Sequence, residues 1–126
     1  MVFWILAAMA LYLVNVYMAG LMLFARIGPV AYSGPRDSLP EPGVYRARTL
    51  KAAANFAENL PVFLGLGLLA LVVNGADLSL ATLGAEIFVL SRIVYIAVYI
   101  AGVPLVRSVI FTFGLIGMGM MAWALV

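Results

Sequence analysis

Cysteine and histidine are both absent from the 126 residues. Without cysteine the chain has no disulfide, no thiolate metal site and no thiol nucleophile of its own. Without histidine it lacks the commonest general base and metal ligand. Charge is scarce as well, with 10% of residues charged and a formal net charge of +2. A soluble domain of this size needs a charged surface of mixed sign, and this chain cannot supply one. So few basic residues on an apolar frame also argue against a nucleic-acid partner. What the chain does have is apolar residues, 67% of the total, with a mean hydropathy of +1.19. Lipid can cover apolar surface on every side, so the composition points to one membrane-embedded domain.

A transmembrane helix needs about 20 largely apolar residues. Four such runs are present, at about 1–25, 46–73, 78–101 and 104–126. They predict an all-α bundle of four membrane-spanning helices over 1–126. The first run has no positive n-region and exceeds the usual h-region, so it reads as a span rather than a cleaved leader. Between the first two runs lie the breakers Gly28-Pro29, Gly34-Pro35, Pro40, Pro42 and Gly43. Asn74 to Asp77 reads as a short turn. Gly102-Val103-Pro104 reads as another, with Pro104 suited to the first turn of a new helix. Pro61 removes a helical hydrogen bond to Ala57 and is a candidate bend. Gly65, Gly67, Gly114, Gly117 and Gly119 read as sites of close helix packing.

The basic residues cluster. Arg26, Arg36, Arg46, Arg48 and Lys51 lie in or beside the first loop, and Arg107 borders the third. The second loop has only Asp77. The positive-inside rule therefore places the first and third loops in the cytoplasm. On the second helix Arg48, Lys51, Asn55 and Glu58 are spaced three, four and three apart. At ~100° per residue they occupy an arc of roughly 80°, a single stripe. Glu58 is ~15 Å along the axis from Arg48, deep enough that its carboxylate calls for a cationic partner. Arg92 on the third helix is at the right depth, so a Glu58–Arg92 pair with Asn55 beside it is expected. Arg92 also shares a face with Tyr95 and Tyr99. Cations and phenols gathered toward one membrane face suggest a pocket for an anionic molecule. Glu86 does not join this set, and is expected to face the bundle interior or a subunit contact, with Asn15 as a candidate neighbour.

The segment Lys51-Ala-Ala-Ala-Asn55-Phe-Ala-Glu58-Asn-Leu-Pro61-Val-Phe63 has a recognisable pattern. So do Arg92-Ile-Val-Tyr95-Ile-Ala-Val-Tyr99 and Pro104-Leu-Val-Arg107-Ser108. In this order they resemble the MAPEG family, the membrane-associated proteins in eicosanoid and glutathione metabolism, and in particular its bacterial branch. The resemblance implies a four-helix bundle assembled as a homotrimer in a bacterial inner membrane. Glutathione, as cosubstrate and with no metal, would bind between subunits near the cytoplasmic side. It further implies that Asn55 and Glu58 hold the peptide's amino and amide groups, and that Arg48 and Lys51 hold carboxylates. Arg92, Tyr95 and Tyr99 would complete the binding site. Arg107 would stabilise the glutathione thiolate, with Ser108 beside it. Chemistry agrees on Arg107. A free thiol has a pKa near ~8.5, and a permanently charged guanidinium favours its anion. The chain departs from the family pattern in having Lys51 for an arginine, and Asn59 and Phe111 for tyrosines, which argues against eicosanoid substrates.

Three functions compete on these residues. The first is a glutathione-dependent transferase or peroxidase acting on lipophilic electrophiles that arrive through the bilayer. The second is a non-catalytic member of the same fold that binds lipid or another anionic ligand. The third is a small transporter in which Glu58 or Glu86 carries protons.

Overall fold

The computed structural model describes residues 1–35 and 37–126. Arg36, one of the first-loop cations, lies outside the described residues. The chain forms four helices in sequence: α1 (Val2–Ser33), α2 (Val44–Val72), α3 (Leu78–Ala101) and α4 (Pro104–Trp123). Each is long and apolar enough to cross a membrane. Even the shortest, at 20 residues, extends ~30 Å, the thickness of a hydrocarbon core. The fold is therefore the expected all-α membrane bundle.

The first helix runs beyond Ala25, where the breakers predict a loop. Gly28 has φ 78° and ψ 170°, so two helical pieces meet there at a break. A glycine takes this positive φ without strain, and Pro29 then starts the second piece where its missing N–H costs nothing. That short piece brings Tyr32 edge-on against Phe24, with ring centroids 5.5 Å apart. The expected bend at Pro61 does not interrupt α2, which is helical throughout Val44–Val72.

Caps fix the other ends. The Asp77 carboxylate accepts from the Leu80 backbone N–H at 3.0 Å and starts α3. The Asp77 N–H in turn donates to the Ala124 carbonyl at 2.8 Å, tying the second loop to the end of α4. Gly102 closes α3 in the left-handed conformation, φ 82°, and Pro104 opens α4.

The core is built on Phe56, Phe63, Phe88 and Met121, all nearly or fully buried. Phe63 and Phe88 stack at 4.4 Å. The most extensive contact is between α3 and α4, and glycine makes it possible. A Cβ on Gly84 would lie 2.5 Å from the Gly117 carbonyl oxygen, and one on Gly117 would lie 2.5 Å from that of Gly84. Gly67 packs on Ile5 and Met121, and Gly114 on Ser91 and Arg92. Gly65 and Gly119 face open space instead, so they are not packing sites within the chain.

Candidate functional site

The periodicity of α2 decides which of its polar residues reach a site. Its buried positions are Thr49, Ala52, Phe56, Phe63, Gly67 and Ala70. At 100° per residue the centre of that stripe lies ~70° from Arg48 and ~90° from Asn55, but ~130° from Lys51 and ~150° from Glu58. Burial follows this order. Arg48 and Asn55 are half-buried, whereas Lys51 and Glu58 are exposed.

This geometry corrects the expected Glu58–Arg92 pair. Arg92 is 1% exposed, and its Nη1 donates to Asn55 Oδ1 at 2.9 Å. Glu58 sits nearly opposite the α2 core stripe and forms no ion pair among the described residues. The Arg92 guanidinium lies among four rings instead, 5.0 Å from Phe88, 5.1 Å from Phe111, 5.2 Å from Tyr95 and 6.0 Å from Phe56. Their π faces take part of the role expected of a carboxylate. Its Nε and Nη2 meet no acceptor among the described residues.

Above this buried arginine opens a cleft of about 410 Å³. Asn55 lines it from α2, Tyr95 and Tyr99 from α3, and Arg107, Ser108, Phe111 and Thr112 from α4. A neighbouring cleft of about 250 Å³ is lined by Arg48, Lys51 and the turn Gly102-Val103-Pro104. Tyr99 and Arg107 belong to both walls. The Arg107 guanidinium lies over the Tyr99 ring at 4.7 Å. Tyr99 meets Tyr95 edge-on at 5.5 Å, and Tyr95 leans on Phe111 at 6.1 Å. Tyr95 and Phe111 thus form a partition, with Arg92 on one side and the cleft on the other.

The α4 residues follow the same rotational logic. The buried face of α4 holds Gly114, Gly117, Met118 and Met121. Arg107 lies on that face one turn into the helix and Phe111 at its edge, and both are half-buried, while Ser108 and Thr112 turn outward and are exposed. The Ser108 hydroxyl donates to the Pro104 carbonyl at 3.2 Å, and the Thr112 hydroxyl to the Ser108 carbonyl at 3.1 Å. Ser108 would have to swing from Pro104 to donate to a bound group. Arg48 Nη1 donates to the Ile100 carbonyl at 3.0 Å, at the end of α3.

Of the expected site residues, Asn55, Tyr95, Tyr99, Arg107 and Ser108 come together in one cleft, with Arg48 and Lys51 next door. Arg92 lies beneath the cleft and Glu58 lines neither part. Thr112 and the cage rings Phe56 and Phe88 are additional. Helical spacing is the signal for them: Thr112 is one turn after Ser108, and Phe88 one turn before Arg92. Among the described residues Glu86, half-buried, forms no hydrogen bond and buried Asn15 has neither polar atom partnered, so the two do not hydrogen-bond to each other. No group of three or more acidic residues among the described residues is placed to hold a metal.

The MAPEG family model matches residues 4–126. No curated protein and no solved structure matches the chain. With four membrane-spanning helices, and a family match that runs through all of them, the chain belongs to the MAPEG family.

Proposed function

We propose that the protein is a glutathione-dependent membrane transferase or peroxidase for lipophilic electrophiles. The observation that carries this reading is Arg107, half-buried over Tyr99 and shared by two adjoining clefts. A cation fixed at that junction suits a thiolate, because it favours the anion and does not surrender a proton. Arg48 and Lys51 stand next door, where they suit the carboxylates of the same peptide. Ser108 adds a hydrogen bond to the thiolate once its hydroxyl leaves Pro104. The apolar co-substrate reaches the cleft from lipid on the side of Ser108 and Thr112, which are exposed.

In this reading the active unit is a homotrimer, and glutathione lies between subunits. Glu58 is exposed and lines neither cleft of its own chain, where it suits a ligand held across a subunit boundary. The first and third loops face the cytoplasm of a bacterial inner membrane. The experiment is ultraviolet difference spectroscopy of purified protein titrated with glutathione. Wild type shows thiolate absorbance and the Arg107→Ala variant shows none; an undiminished signal in that variant ends the proposed role. A second reading, non-catalytic binding of an anionic lipid, draws support from the cleft beside Arg48 and Lys51, which among the described residues no carboxylate lines. It expects no glutathione-dependent rise in melting temperature in detergent free of anionic lipid.

A further inference from the structure

Arg92 is almost fully buried, and its one hydrogen bond among the described residues runs to Asn55 Oδ1. A guanidinium has donors only, whereas an asparagine amide offers a carbonyl oxygen on one side and an NH2 on the other. Turning the NH2 toward Arg92 would set donor against donor in a low-dielectric interior, where an unpaired polar group is most expensive. The oxygen must therefore face inward.

The guanidinium cannot easily retreat and release the amide. Four aromatic rings surround it, and α4 closes in at Gly114. There a Cβ would come within 2.9 Å of Ser91 Oγ and 3.4 Å of Arg92 Nη2. Asn55 also lines the larger cleft. With one lone pair of Oδ1 engaged below, the donors that Asn55 has free for a ligand are the two Nδ2 hydrogens. Among the described residues no carboxylate lines that cleft, and Arg107 adds further donors to its wall.

We infer that Arg92 is a positioning residue that locks the Asn55 amide donor-outward, so that the ligand group seated on the Asn55 Nδ2 is a hydrogen-bond acceptor, a carboxylate or amide carbonyl. The inference rests on the proposed glutathione site and narrows the role of Asn55 within it.

The test combines glutathione titration calorimetry, thermal unfolding and ¹⁵N resonances of the Asn55 side chain, all in detergent. Asn55→Asp keeps the oxygen that faces Arg92 and removes the outward donor. It is expected to unfold no earlier than wild type, yet to bind glutathione about tenfold or more weakly, the equivalent of one hydrogen bond to a charged group. Arg92→Lys keeps a donors-only head and is expected to bind within about threefold of wild type. Arg92→Gln presents donor and acceptor alike, lets the amide flip, and is expected to bind about tenfold more weakly. Asn55→Asp binding as tightly as wild type, or Arg92→Lys binding no better than Arg92→Gln, overturns the inference.

The ligand-free arm separates this inference from the functional reading. One sharp Asn55 NH2 pair is expected in wild type and Arg92→Lys, and a broadened or doubled pair in Arg92→Gln. An Arg92→Gln spectrum identical to wild type overturns the lock. The expected spectra, together with wild-type protein that binds no glutathione, sustain the lock and defeat only the glutathione assignment.

Discussion

Gly102 meets two demands at once. Its φ of 82° is open to glycine and strained for other residues, and a Cβ there would lie 2.5 Å from the Arg48 guanidinium. Any side chain at 102 therefore both strains the α3 cap and displaces Arg48 from the Ile100 carbonyl. Gly102→Ala is expected to destabilise the protein by about 1–2 kcal/mol through the backbone alone, read by denaturant titration of helicity. It is also expected to weaken glutathione binding, whereas an Arg48→Ala variant should show the second effect with less of the first. The identity of such residues was legible in the sequence as a stripe of Arg48, Lys51, Asn55 and Glu58. The division of labour along it was not. An arc of roughly 80° looks like one face, but its two edges lie at different angles from the core, and the core direction depends on which neighbours α2 meets. Phe56 and Phe63 held that information, and among apolar residues on all sides of a membrane helix they do not stand out.

For helices, the decisive contact is the reciprocal glycine crossing of α3 and α4. A methyl on either Gly84 or Gly117 would press on the backbone of the other helix rather than on a flexible side-chain end. Gly117→Ala is expected to cost about 1–3 kcal/mol as overpacking. Gly119→Ala, which meets open space, is expected to be neutral or stabilising by up to about 1 kcal/mol through helix propensity. Unfolding both variants side by side in mixed micelles checks the contrast, and equal losses would refute it. The four helices themselves were legible from runs of apolar residues, because lipid demands that length and composition. Gly84 was not singled out, since a glycine contact depends on the partner helix and one strand of sequence does not display its partner. The break at Gly28 was legible as a breaker, but the helical piece after it was hidden among prolines that suit a first turn equally well.

Taken whole, the molecule has its described cations, apart from Arg92, beside the first and third loops, and the third-loop turn lines one of its two adjoining clefts. The absence of native cysteine makes orientation directly measurable. With an impermeant maleimide outside intact cells, Asn74→Cys in the second loop is expected to react, and Ser38→Cys in the first only after permeabilisation; the opposite pattern would invert the proposed topology. The glycine crossing has a consequence at this scale too. It works as a fulcrum just beyond the inner end of the cleft, about 7.5 Å along α4 from Thr112, with two stiff arms running on to the cleft's outer end. Tyr99 is fifteen residues from Gly84, an arm of ~22 Å, and Arg107 ten residues from Gly117, an arm of ~15 Å. A tilt of about 5° at the fulcrum therefore moves each arm's end by roughly 1–2 Å. Cleft width can thus be retuned from the opposite side of the membrane, by changes in residues that never touch the ligand.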